Sequence, residues 1–269
     1  MKSFQMLSSV ILMKRILFVA GSSSSSFART TAFVVPRHDM NQQRLMSSTT
    51  LCESNIPSIE ELSTDPFMKQ VQHASTLVPL LNDKDSNVDM YPMLKAQLSH
   101  SDGIRGFFVS YLTGSSEEEE EEEEKNMVVP KSLRRAMKKV DAKELVPLAC
   151  MNVIMPTAMV TMHTDPNLSS SSAKTAKRGK VILSTLLQDE ADGEKDDFLA
   201  LDNCLAMLEA ADAAINTMEV EMDDDDDDDD EGDDVDEELV KYWQDFYVKW
   251  GYKETQLNDI ITTISEVLA

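Results

Sequence analysis

Apolar and polar positions recur along this chain with the 3.6-residue period of helices, and the pattern predicts where most of them lie. In "STDPFMKQVQHASTLVPLL", Phe67, Val71, Ala74 and Val78 form one stripe. Thr64 is its expected N-cap, with Asp65 in the first turn and Pro66 where a missing N–H costs nothing. "DMYPMLKAQLSHSDG" reads as a second helix ending near His100, and "GIRGFFVSYLTG" as a third stopped at Gly114. Between them Gly103 reads as a helix stop, and Gly106 as a place where two helices approach closely. "PKSLRRAMKKVDAK" sets Lys131, Arg134, Arg135, Lys138 and Lys139 against Leu133, Met137 and Val140, a basic amphipathic helix.

The next stretch, "LVPLACMNVIMPTAMVTMHT" at 145–164, holds twenty residues without a charge. Asp141 is placed to cap it. Its length is enough for a bilayer, but Asn152, His163, three threonines, Pro147 and Pro156 all oppose a span. Met151, Met155, Met159 and Met162 lie within about 80° of arc on a helical projection. Thioethers suit Cu(I), yet Cys150 falls off that face, and flexible methionine is a common filler of cores. The expectation is a central core helix, kinked or broken at Pro156.

A serine-rich loop is expected in "LSSSSAKTAKRGKVILSTLLQ", leading into Val181, Leu183, Leu186 and Leu187. Phe198, Leu201, Leu205, Leu208, Ala211, Ile215, Met218 and Met222 then step by threes and fours, ended by the aspartate run. Two more helical patterns follow, "EELVKYWQDFYVKWGY" and "TQLNDIITTISEVLA". In the former, Trp243, Phe246, Tyr247 and Trp250 share a stripe that suits a core more than a binding surface. No alternating β-branched run with hairpin chemistry appears, and no repeat of solenoid length. The fold class expected is all-α, a compact bundle of about seven or eight helices.

Charge changes the picture of which parts fold. The net charge is -24, but Glu117–Glu124 carry eight of the negative charges and 223–238 carry fourteen, leaving -2 for the rest. Runs of like charge repel themselves and bury nothing, so loops 115–126 and 223–236 are expected to be disordered insertions into one helical domain at 53–269. Residues 1–52 hold six cationic residues against one acid, Asp39, with a serine run at 22–26. That composition fits a disordered organellar presequence with processing near residue 46, where "QQRLMSSTT" resembles a mitochondrial site. The segment "TTAFVVP" gives the plastid alternative, weakened because Lys14 and Arg15 split the apolar stretch a secretory signal needs. Cys52, Cys150 and Cys204 are three, widely spaced and without C-x-x-C, which argues against a disulfide framework and a zinc ribbon.

Candidate chemistry is sparse. His100 with Asp102 and His163 with Asp165 are two H-x-D pairs that would serve a divalent metal or acid–base catalysis if the fold joined them. The competing reading makes them caps and turns. "SDGIRGFF" carries the G-x-x-G of KH-type RNA binders but lacks the strands of that fold, so nucleic acid is not the expected partner. Lys174, Lys177, Arg178 and Lys180 form a second basic cluster that, with the helix at 131–139, offers a surface for anionic groups, including peripheral anionic lipid. No Walker loop, dinucleotide fingerprint, H-E-x-x-H or nucleophile elbow is present. These features point first to a non-enzymatic organellar accessory or assembly protein that binds another protein. The alternative is a small metal-dependent helical enzyme built on the two H-x-D pairs, and the sequence leaves any cofactor unknown.

Overall fold

The computed structural model describes residues 56–81, 89–114, 128–193, 198–219 and 236–269, all within the compact unit Leu51–Ala269. The leader 1–52, the whole acidic loop 115–126, and all but Asp236 of the loop 223–236 lie outside the described residues. Ten α-helices and one 3-10 turn make up the described chain, with no strand among them. In order they are α1 (Ile59–Thr64), α2 (Phe67–Leu77), the 3-10 turn Val78–Leu81, α3 (Met90–Gln97) and α4 (Ser101–Thr113). Then come α5 (Lys131–Met137), α6 (Ala142–Met162), α7 (Pro166–Ala191), α8 (Leu199–Glu219), α9 (Glu237–Trp250) and α10 (Glu254–Leu268). The all-α bundle is as expected, with more helices than the seven or eight read from periodicity.

Several boundaries differ for identifiable reasons. Thr64 ends α1 rather than capping α2, its hydroxyl donating back to Glu60 O at 2.8 Å. α1 starts at a capping box, in which Ser58 N–H donates to Glu61 Oε2 at 2.8 Å and Glu61 N–H to Ser58 Oγ at 3.2 Å. The first N–H of α2, on Phe67, goes instead to Asp102 Oδ2 on α4 at 3.3 Å, a cap supplied across the fold. Gly103 is not a stop but part of the first turn of α4, where a Cβ would lie 1.7 Å from Gln97 O. Gly106 is a close approach as read, since its Cβ would sit 2.6 Å from Gln70 Cβ.

The serine-rich loop is instead the first half of α7, one helix of 26 residues. Its hydroxyls do not compete with the helix. Ser171 and Thr175 donate to carbonyls four residues back, at 2.8 and 2.9 Å, and Ser169 reaches Val160 O on α6 at 2.8 Å. Asp165 caps this helix through Asn167 N–H at 2.9 Å, with Pro166 in its first turn.

α6 packs on α4, α7, α8 and α10, and runs unbroken through Pro147 and Pro156. Asp141 caps it, as expected, through Lys143 N–H at 2.9 Å. Among the described residues it is the one helix long and apolar enough to cross a membrane, and its packing is that of a bundle core. The methionines, however, are not the face it buries. Leu145, Val146, Ala149, Cys150, Val153, Ile154, Thr157 and Ala158 are buried, whereas Met151, Met155 and Met159 are half-buried and Met162 is exposed. Compact and β-branched side chains let the neighbours approach closely, which long methionines do not. At the crossing of α6 and α7 a Cβ on Gly179 would lie 2.5 Å from Asn152 O.

Small residues likewise dominate the buried face of α8, with Met207 as the exception. Ala200, Cys204, Ala206, Met207, Ala210 and Ala211 are its buried apolar residues, while Leu201, Leu205 and Leu208 are only half-buried. Into that shallow face pack Trp243 and Tyr247 of α9 and Tyr252, all buried, and the Tyr247 hydroxyl donates to Met207 O at 3.1 Å. The aromatic stripe of α9 is therefore core on two of its four residues, with Phe246 and Trp250 half-buried at its edge. Asp236 caps α9 through Glu238 and Leu239 N–H at 3.0 and 3.3 Å, and Gly251 ends it at a left-handed φ of 65°.

Candidate functional site

Along α7, Lys177, Lys180, Val181, Ser184, Thr185 and Gln188 follow one another by threes and ones, so they share one face of the helix. That face forms a wall of a cleft of about 500 Å³. The other walls are Val128 and Val129 leading into α5, Arg134 of α5, and Glu266 with Val267 at the end of α10. Valines supply an apolar floor. Three cations, one carboxylate and several hydroxyl or amide groups supply the rim.

Two of the cations, Arg134 and Lys180, are held by specific partners. The guanidinium of Arg134 donates to Asp189 Oδ1 through Nε at 2.8 Å and through Nη2 as well, and Asp192 lies 3.8 Å away. Asp189 is fully buried at the foot of α5, where Lys138 also approaches Oδ1 at 3.4 Å. The hydrogen bonds and charge of Asp189 raise Arg134 above its ordinary pKa, so this cation is fixed in both charge and place. Lys180 reaches Glu266 at 2.7 Å and ties α7 to α10. The neighbouring Glu190, also buried, accepts from Ala200 and Leu201 N–H at 2.8 and 3.2 Å, capping α8. Consecutive acids at the end of α7 thus anchor α5 on one side and α8 on the other.

Of the basic residues singled out from sequence, the fold brings Arg134 and Lys177 to the cleft, together with Lys180 from the second cluster. Arg135 turns away and stacks over the Tyr91 ring at 4.0 Å. Arg178 donates to Leu112 O at 3.1 Å, and Lys138 serves Asp189. Lys131, Lys139 and Lys174 are exposed outside the cleft lining. The sequence reading missed Val128, Val129, Ser184, Thr185, Gln188, Glu266 and Val267. The one available signal was the run of helical steps from Lys177 to Gln188, masked by reading its first turns as loop.

The H-x-D residues sit at helix ends. His100 is the N-cap of α4: its Nδ1 accepts from Gly103 N–H at 3.3 Å, and its Nε2 lies 3.0 Å from Leu62 O, so a proton on Nε2 satisfies both contacts. Asp102 caps α2 as described and lies 3.6 Å from Arg105. His163 closes α6, and Asp165 opens α7. Among the described residues no group of three or more His, Cys, Asp or Glu is arranged to hold a metal ion. Cys150 belongs to the buried face of α6, away from the methionines. Burial, and then contact with Cys204, pushes its thiol pKa well up, which leaves it protonated and a poor nucleophile.

The model of a family described as uncharacterised conserved protein UCP020893 matches residues 36–200, more than half of the chain, and the chain belongs to that family. The match begins ahead of the expected processing point near residue 46. It takes in α5 and α7, and so two walls of the cleft, but stops before α10. No curated protein and no solved structure matches the chain.

Proposed function

We propose that this member of the family is a non-enzymatic accessory or assembly protein that holds another protein at the cleft between α5, α7 and α10. The observation that carries the reading is the convergence of cations from two basic segments, far apart in sequence, over a shared valine floor. Interfaces place apolar anchors at the centre and charged groups at the rim, and this cleft has that order. The Arg- and Ser-rich leader supports mitochondria as the compartment, with the plastid as the alternative.

The test compares two charge reversals in the full chain expressed with its leader. Lys177→Glu alters the cleft, and Lys249→Glu alters an exposed position on α9. Proteins captured from isolated mitochondria are expected to include one lost with Lys177→Glu and retained with Lys249→Glu. Identical capture by both variants and the parent contradicts the proposal, as does failure of the parent chain to enter mitochondria for the compartment.

A further inference from the structure

We infer that Cys150 of α6 and Cys204 of α8 are a bridging pair, joined by a disulfide when the chain folds in an oxidising compartment and left as two buried thiols when it folds in a reducing one. Neither residue belongs to the cleft lining. The fold brings together two cysteines that lie far apart in the sequence, on separate helices. α6 packs directly on α8, both side chains are fully buried in one core, and the Cys150 thiol is in contact with that of Cys204. A single cysteine in a core serves as a small apolar side chain. Two that meet across a helix seam can also bond, since a disulfide spans only closely apposed backbones and these sulfurs are already neighbours.

Burial fixes when that bond can form. Exchange with a disulfide needs a thiolate that can reach it, and in the folded chain Cys150 is held protonated and neither side chain meets solvent. Trp243 and Tyr247 of α9 pack on the face of α8 that carries Cys204. The bond therefore forms during folding, before α9 closes on that face. The oxidant is a disulfide, small or protein-borne. One cysteine thiolate attacks it to give a mixed disulfide and the first reduced thiol. The second cysteine thiolate then displaces the remaining oxidant sulfur, so that one Sγ–Sγ bond is made, the oxidant is reduced to two thiols, and the two cysteine protons end on them. Closed over a loop of about fifty residues, the bridge restricts the unfolded chain and ties α8 to α6.

The experiment unfolds the full chain in urea and refolds it either in excess oxidised glutathione or in dithiothreitol. Peptide mapping without reduction is expected to recover Cys150 joined to Cys204 after the first treatment, in the parent and in Cys52→Ser alike, and free thiols after the second. The oxidised parent should melt about 5 °C or more above the reduced parent. That difference should vanish when Cys150→Ala and Cys204→Ala are combined, and because each chain is compared with itself, the packing change of the substitutions cancels. Oxidised glutathione added to the chain already folded should leave both thiols free until urea approaches the unfolding midpoint.

Free thiols at both positions after oxidative refolding overturn the inference, as does a bridge from either of them to Cys52. A Cys150–Cys204 bond that leaves the melting temperature unchanged, or lowers it, overturns it too, because the two are then crowded neighbours and not a staple. Ready oxidation of the folded chain without urea removes the folding-stage route and contradicts the inference in that form.

Discussion

The bundle is held in different ways around α2 and at the seam of α8 with α9. Around α2, polar side chains tie it to the backbone of α1 and its linker and to α3 and α4. Gln70 Nε2 donates to Leu62 O at 2.9 Å and Asp65 O at 3.0 Å, Gln97 Nε2 to Gln70 O at 2.9 Å, and Ser110 Oγ to Val71 O at 3.0 Å. Gly106 brings the α2 and α4 backbones close enough for the last of these. Where α8 meets α9, by contrast, buried rings lie on a face of alanines, and Tyr247 to Met207 O is the buried hydrogen bond that crosses it. Hydrogen bonds are directional and fix one register, while ring packing supplies buried area and tolerates changes of shape. The first seam specifies and the second stabilises.

The comparison breaks most visibly at the rings. Trp243→Ala removes the largest fully buried side chain and should cost about 3–5 kcal/mol in urea denaturation. A loss below about 1 kcal/mol would mean that the aromatic corner adds little. Next in size is Gly106→Ala. The added Cβ meets Gln70 Cβ at 2.6 Å and Val71 N at 2.9 Å, so backbone must move. Overpacking of about 1–3 kcal/mol is expected to outweigh the helix-propensity gain of about 1 kcal/mol, giving a lower denaturation midpoint.

Gln70→Leu against Trp243→Phe sharpens the contrast. Leucine keeps most of the buried volume at position 70 but leaves the Asp65 carbonyl without its side-chain donor, and Leu62 O with His100 Nε2 alone, at a cost of about 1–3 kcal/mol. Phenylalanine keeps a ring at 243 and should cost less than that of a lost polar node, under about 1.5 kcal/mol. The reverse order would erase the distinction between the two regions.

The smallest effect is on pH dependence at the first seam. Hydrogen bonds from the Ser58 backbone and hydroxyl hold Glu61 below its ordinary pKa, and His73 followed by Lys69 does the same for Asp65. In the unfolded chain both return to ordinary carboxylate values. Their contribution is therefore full above the ordinary carboxylate range and is lost as pH falls through the lowered folded values. Denaturation midpoints measured across the acid range should decline less steeply in Glu61→Gln and Asp65→Asn than in the parent. An unchanged slope contradicts the assignment.

Helix periodicity made the fold class legible, and local chemistry made Asp141, Gly114 and Gly106 legible as cap, stop and close approach. The facing of α6 was not, because its uncharged stretch is apolar nearly all round and offers no polar side to orient it. Which face is buried depended on how near α7 comes at Gly179, a tertiary quantity. The serine run misled because hydroxyls favour loops only while they compete with the backbone, and here they bond to carbonyls already in a helix or to α6. For the cleft, each basic cluster could be read separately, but no local pattern joins Val128, Lys177 and Val267.

The most direct test of the partner cleft is photo-crosslinking in intact cells, with a photoreactive residue at Ser184 in one chain and at Val248 in another. Both positions are exposed, one on the cleft wall and one on α9. The account predicts a discrete protein adduct from Ser184 that is absent from Val248. Adducts of equal yield from both, or an adduct from Val248 with none from Ser184, would contradict it.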